Sequence, residues 1–483
     1  MALWRYVSAF CRKVTLPEWL TGSPATKHEE RLGFARVCSN RTVLNTIFSI
    51  PARSRFLTNT TLDNEGRGSV KFLPDADLLN NTVALSTSSC LIMGSSAKFP
   101  SAKFPTAERW FQGSQSKQVI NDTTMSTDNA SEAQSRTKSL VEVARSLVNP
   151  RGKGIYATDE DPQEIQARLI AALGEAGKNI SWTEAQAVER RKRWRECLYE
   201  TMPTEYISGV ILYPETLHDF KLASVLASRG IVPGVRANGE EYPIPASPLE
   251  PATDGLDNLL PRMTKAFDEG ARFAKFRTGF MCTSVATGGL PTQLAIDTQA
   301  ETLARFASIA QRAGLVPIVE PDVDFSGDAD LARSAEVHEK VISAIFARCV
   351  AHGVLIEGAL IKPSFPQPGL RHPSREAISP VDIGLATVKA LSHTLPVALP
   401  GVLFLSGGLS DENSTAYLAA ANQLVDQNPD GIYGRLPPLT FSFGRGLQGD
   451  AMSKWVSGDE DGARDAFKAR AKACSLAVCG KAK

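Results

Sequence analysis

The stretch Thr302–Val323, TLARFASIAQRAGLVPIVEPDV, contains two periods in succession. Its first part repeats apolar residues every three or four positions, as an amphipathic helix does, and from Leu315 it becomes a short β-rich apolar run. Downstream the pair recurs as the helical VHEKVISAIFARC and the apolar LIEGALIKP from Leu355. Working outward, further strand candidates are GIYAT from Gly154, ISGVILY from Ile207, IVPGV from Ile231, FAKFRTGF from Phe273, GVLFLSGG from Gly401 and LTFSFGRG from Leu439. Eight strand–helix units over residues 139–483 predict an α/β fold, one closed (β/α)8 TIM barrel with insertions. A doubly wound open sheet is the alternative. Against it, no GxGxxG follows the first strand, and eight units is the number that closes a barrel.

Composition divides the 483-residue chain near residue 138. Before that point there is no sustained period. Ser/Thr/Asn-rich stretches and the echo SAKFPSAKFP predict a largely disordered extension over 1–138. Its first 60 residues carry nine Lys/Arg against three Asp/Glu and begin MALWRYVSAFCRKV, the composition of a mitochondrial or plastid transit peptide. Alternatively Met125 is the working start and the protein is cytoplasmic. A net charge of +1 offers no field for nucleic acid or a membrane surface. No apolar run reaches the roughly 18 residues that span a bilayer. The eight cysteines form no CxxC pair and no zinc spacing, so they read as reduced, mostly buried thiols and no metal is expected.

Barrel chemistry sits where strands end. The first strand ends in Asp159 and Glu160, the fourth carries Lys275 and Arg277, and the fifth ends in Glu320 and Asp322. The sixth ends in Lys362, the seventh in Ser406-Gly407-Gly408, the eighth in Gly444-Arg445. Alternation puts Lys275 and Arg277 on one face of their strand, and Glu320 and Asp322 on one side of theirs. A lysine among apolar side chains beside a second cation becomes an amine nucleophile toward a carbonyl. The resulting iminium withdraws electrons and permits cleavage of a neighbouring carbon–carbon bond without metal or cofactor, while carboxylates move the protons. The glycine-rich ends of the last two strands offer N–H groups and an arginine to an anion. A phosphorylated ketone is the expected substrate.

The segments GKGIYATDE, VILYPETL, FAKFR, VPIVEPDVD, IEGALIKPS, FLSGG and FSFGRGLQ occur in the order and spacing of class I fructose-1,6-bisphosphate aldolases, and from about Ser139 to Gly480 the chain resembles that family. The resemblance implies that Lys362 is the Schiff-base lysine. Asp159 and Glu320 would handle protons in bond cleavage and dehydration, supported by Lys275 and Asp322, and Arg277 and Arg168 would line the site. Ser406, Gly407, Gly444 and Arg445 would hold the 1-phosphate, with Ser442 touching substrate. It also implies a homotetramer. Asp322 stands where the family has Glu. At the far phosphate, Asp161 and Glu164 stand where the family has serines, and Gly239 where it has lysine, so the acids would repel a phosphate unless Arg236 serves it. The last tyrosine is Tyr433, whereas animal-type enzymes end in one.

The six histidines are scattered and read as surface or helix-face residues, and ERRKRWRE (Glu189–Glu196) as a solvated helix face. Three functions compete: cleavage of fructose 1,6-bisphosphate, the same chemistry on another ketose 1-phosphate, and a non-catalytic scaffold. A scaffold has no need of a desolvated lysine.

Overall fold

The computed structural model describes Leu44–Thr46, Leu57–Leu62, Gly68–Leu73 and residues 127–481, with side chains from residue 134. The chain divides into two compact units, Met1–Gln118 and Val119–Lys483. In the first, the three short strands pair antiparallel, the middle one between the others. The other residues of the expected disordered extension up to 126, including the basic leader and Met125, lie outside the described residues.

In the second unit the strands are β1 (Gly154–Thr158), β2 (Ile207–Leu212), β3 (Val232–Arg236), β4 (Phe273–Phe280), β5 (Val316–Val323), β6 (Leu360–Ile361), β7 (Val402–Phe404) and β8 (Leu439–Phe443). All pair in parallel, in sequence order, and β8 returns to β1 to close the barrel. The eight expected strands are all present.

Alternation then sorts the barrel interior by height. On the inner face Phe273 is followed by Lys275 and Arg277 on β4, Ile318 by Glu320 and Asp322 on β5, and Leu360 by Lys362 after β6. The lower residues, with Ile155, Ile211, Val316 and Leu403, form a buried apolar layer. The helix Thr127–Val148 adds Leu140, Ala144, Leu147 and Val148 to it, so a helix that starts upstream of residue 138 plugs the barrel where the strands begin. Each large apolar side chain so buried contributes about 1.5–3 kcal/mol. The charged residues are left at the C-terminal mouth.

Three elements differ from expectation. The sixth strand was expected from Leu355, but Ile356–Gly358 forms a 3₁₀ turn and only Leu360–Ile361 joins the sheet. Gln311 takes over the backbone there: its Nε2 donates to Leu355 O (2.8 Å) and Gly358 O (3.1 Å), and its Oε1 accepts from Leu355 N (2.9 Å). A hairpin, Glu241–Ile244 with Ser247–Thr253, is inserted after β3. ERRKRWRE lies on the helix Glu184–Tyr199, but it is not wholly solvated: Arg191, Trp194 and Arg195 are buried. Arg191 Nη2 pairs with Glu215 Oε1 at 2.7 Å and Arg195 Nη2 with Glu160 Oε2 at 3.0 Å, which offsets the cost of desolvating the two guanidinium groups.

Candidate active site

All twelve expected site residues line one cavity of about 720 Å³ at the C-terminal mouth of the barrel. At its floor Lys362 Nζ lies 3.0 Å from Glu320 Oε1, Glu320 Oε2 lies 3.0 Å from Lys275 Nζ, and Lys275 Nζ lies 2.6 Å from Asp159 Oδ2. Lys275, Glu320 and Lys362 are each 4% exposed. Four charges therefore alternate in sign across four strand ends, β6, β5, β4 and β1.

This alternation sets the protonation states. Burial alone would raise the Asp159 carboxyl, but Lys275 and then Lys362 hold it below the usual carboxylate value. Glu320 is likewise lowered, burial opposing and the same two lysines prevailing. Burial would depress the Lys275 ammonium, yet Asp159 and Glu320 raise it. Lys275 is thus a fixed cation between two carboxylates.

Above this floor Arg277 bridges two acids, its Nε 2.9 Å from Asp322 Oδ2 and its Nη1 2.7 Å from Glu241 Oε1. Asp322 is therefore in place despite being shorter than glutamate, but it faces the arginine. Glu241 comes from the inserted hairpin, and no period or motif in the sequence marked it. Glu160, beside Asp159 in sequence, turns its carboxylate to Arg195 and Gln448.

On the opposite wall Ser406 and Gly407 follow β7, Ser442 lies on β8, and Gly444 precedes the helix Arg445–Val456. Gly407 has φ +51°, and a Cβ on Gly444 would meet the Ala157 carbonyl oxygen at 2.8 Å, so both glycines are sterically required. Arg445 is exposed at the rim, its guanidinium close to Gly408. The buried Ser442 Oγ has no hydrogen-bond partner among the described residues. Serines, glycine backbone, a helix N-terminus and an arginine together are the kind of groups that can hold an anion.

At the far side Asp161 and Glu164 also line the cavity, but both are engaged. Asp161 Oδ1 accepts from Glu164 N at 2.7 Å and caps the helix Pro162–Ala172, while Glu164 Oε1 pairs with Arg168 Nη2. Arg236 reaches the cavity with its side chain donating to the backbone oxygens of Asn238, Gly239 and Asp159. Gly239 is not among the lining residues. Among the described residues no three His, Cys, Asp or Glu side chains come together in a way that could hold a metal ion.

His338 lies on a helix face, Leu331–Ala351, but on the buried one. It is 2% exposed under the loop that follows Lys362, and burial lowers its imidazole to about 4. Unfolding releases it to an ordinary value near 6.5, so between those values the unfolded chain binds a proton that the folded one refuses. Stability should fall as pH drops from about 6.5 to 4, by roughly 1–3 kcal/mol from this group, and not further below. Urea unfolding at pH 7 and 4.5 checks it: His338→Gln should show a smaller loss between the two pH values than the parent, and equal losses would contradict the assignment. Of the others, His218, His352 and His393 pair with glutamates, His372 contacts Ser374, and His28 lies outside the described residues.

Comparison with known proteins gives the family of the chain. The family model described as "Glycolytic: Fructose-bisphosphate aldolase class-I" matches residues 139–483. A fructose-bisphosphate aldolase of Dictyostelium discoideum is 39% identical over 352 residues, 71% of this chain and 92% of that protein. The cytosolic fructose-bisphosphate aldolase 4 of Arabidopsis thaliana is 38% identical over 354 residues, covering 71% and 84%. Among solved structures, a fructose-bisphosphate aldolase from Plasmodium falciparum, crystallised with TRAP and a small-molecule inhibitor, is 36% identical with a TM-score of 0.65, covering 72% of this chain and 96% of that one.

Proposed function

The chain belongs to the class-I fructose-bisphosphate aldolase family, and from that premise we propose how its own residues carry the reaction. The protein is a carbon–carbon lyase that splits fructose 1,6-bisphosphate into dihydroxyacetone phosphate and glyceraldehyde 3-phosphate, reversibly. The ketose carbonyl carbon is attacked by the Lys362 amine, and loss of water leaves an iminium. Glu320, 3.0 Å from Lys362 Nζ, is the group placed to move the protons of addition and dehydration. Asp159, held as a carboxylate, accepts the hydroxyl proton whose loss breaks the adjacent carbon–carbon bond. The aldehyde leaves and the electron pair moves into the enamine. Lys275 keeps both carboxylates charged, and Asp322 orients Arg277. Ser406, Gly407, Gly444 and Arg445 bind the 1-phosphate, and Ser442 donates to substrate. The observation that carries this reading is the Lys362–Glu320–Lys275–Asp159 chain of contacts within one cavity.

Steady-state kinetics on fructose 1,6-bisphosphate and fructose 1-phosphate, each with and without a chelator, tests it. Higher kcat/KM on the bisphosphate, unchanged by the chelator, is expected; inhibition by the chelator would sink the mechanism.

The acids at the far phosphate shape KM. Glu164 engages Arg168, a cation the phosphate would otherwise meet. Glu164→Ser removes a negative charge worth about 1 kcal/mol against a dianion and frees Arg168, so KM for the bisphosphate should fall severalfold. Asp161→Ser should act the same way with little loss of stability, since serine also caps a helix. KM for fructose 1-phosphate should not move. Equal changes for both substrates would place the phosphate elsewhere.

The catalytic unit in this reading is the barrel of residues 139–483 with the whole of the helix Thr127–Val148 that plugs it, and the chain before Met125 is dispensable. A homotetramer and a cytoplasmic location accompany it, with an organellar location as the alternative if the basic leader is a transit peptide. Among the described residues no helix is long and apolar enough to cross a membrane.

A further inference from the structure

Lys362 stands one residue past β6, a strand of only two residues, and on the β7 side Leu405 N donates to Pro363 O at 3.0 Å. Lys362 N donates to Val319 O at 2.8 Å, but the next ladder bond, Ser364 N to Pro321 O, is long at 3.4 Å. Side chains take over from there. Ser364 Oγ accepts from Val323 N, the last residue of β5, at 3.0 Å, and lies 3.0 Å from His338 Nε2. His338 Nδ1 is 2.7 Å from Ser334 O, which can only accept. Nδ1 therefore carries the proton, and Nε2 accepts the proton of the Ser364 hydroxyl. Ser334, His338 and Ser364 are 2–3% exposed. The helix Leu331–Ala351 holds the loop a second time, as Ser334 Oγ accepts from Gln367 N at 3.1 Å.

The Ser364 hydroxyl has two acceptors in reach, His338 Nε2 at 3.0 Å and Val323 O at 3.4 Å, and the nearer one takes its proton. The Ser334 carbonyl fixes the imidazole tautomer, the tautomer fixes the Ser364 hydroxyl, and the hydroxyl oxygen is left to accept from the end of β5. That strand carries Glu320, and the gripped loop carries Lys362. Resting on the reading of Lys362 as nucleophile, we propose that the His338–Ser364 pair is a positioning device. It carries the β5–β6 register past the end of the ladder and so sets the 3.0 Å approach of Lys362 Nζ to Glu320 Oε1. Neither residue touches substrate; both act through the backbone that bears the amine.

The test compares the full chain with Ser364→Ala, Ser364→Thr and His338→Gln. For each, kcat and KM are measured well below the melting temperature. The rate at which dihydroxyacetone phosphate with borohydride modifies Lys362 is followed by peptide mass spectrometry. A misplacement near 1 Å costs up to about a hundredfold. Ser364→Ala should therefore lower kcat and the trapping rate together by roughly ten- to a hundredfold, with KM within about twofold. Ser364→Thr keeps the hydroxyl and should recover most of the loss. If Ser364→Ala is too unstable to assay, the same split is expected in the milder His338→Gln. Parent-like kcat and trapping rate in the folded variants, with only the melting temperature lowered, would overturn the proposal while leaving Lys362 as nucleophile. An adduct in the parent at a residue other than Lys362 would overturn both readings.

Discussion

Lys362→Arg should abolish the borohydride-trapped adduct with dihydroxyacetone phosphate and lower kcat by about 10⁴-fold or more, the scale of losing a covalent nucleophile. The guanidinium stays protonated and cannot add to a carbonyl, yet it keeps a positive charge beside Glu320, so the variant isolates nucleophilicity from charge. At 3.0 Å from Glu320 Oε1 and 4% exposed, the position would otherwise leave a buried carboxylate short of a partner. The melting temperature should accordingly fall less than in Lys362→Ala. The measurement is peptide mass spectrometry after reduction, alongside single-turnover kinetics. A reduced adduct elsewhere with near-parental rate would transfer the role to another amine, and Lys275 is the candidate to examine, because it is the other lysine on the cavity floor.

The barrel was legible because its signal is redundant. The change from helical to strand period in Thr302–Val323 recurs around the chain, and each strand that alternates inward carries its apolar residues low and its charges high. The same alternation puts Lys275 with Arg277 on one face and Glu320 with Asp322 on one side, and in both strands that side is the cavity's. What stayed hidden depends on contacts between distant segments. Nothing in LIEGALIKP says that Gln311 will withdraw its first half from the sheet, since that glutamine lies 44 residues before Leu355. Glu241 sits in an inserted hairpin whose composition has no strand period of note, yet it closes on Arg277. ERRKRWRE looked solvated because acids were near it in sequence. The acids that matter for its buried members, Glu160 and Glu215, belong to other elements. The helix-face reading covers His338 but not its burial, because its partner Ser364 lies on the nucleophile's loop, 26 residues further along. Asp161 and Glu164 do line the cavity, and their partners, a helix N-terminus and Arg168, alter what they would do to a phosphate there.

Lys275→Met should lower kcat/KM at neutral pH by about 10²–10⁴-fold and move the acid limb of the pH profile upward. Methionine keeps the length and packing of the stem but removes the cation 2.6 Å from Asp159 Oδ2 and 3.0 Å from Glu320 Oε2. For both carboxyls burial pushes the pKa up, and Lys275 is the first influence that pulls it down. Without it both values rise, so at neutral pH Asp159 spends part of its time protonated and cannot accept the substrate's hydroxyl proton. Raising the pH should therefore restore part of the lost rate, which a simple loss of packing would not allow. Stability follows the same sign. Carboxyls held below their unfolded values contribute stability that is complete above those values and is lost as pH falls through the folded ones. In Lys275→Met that contribution shrinks, costing about 3–5 kcal/mol at pH 7 if both anions persist, and less if one takes up a proton. Between pH 7 and pH 5 these two carboxyls leave the parent's stability unchanged, because both titrate below that window, whereas in the variant a carboxyl raised into it takes up a proton on folding, so urea unfolding should show the variant gaining stability relative to the parent as pH falls to 5. An acid limb that stays where it was, with activity still lost, would show that Lys275 acts by touching the substrate and not by keeping its two neighbours charged.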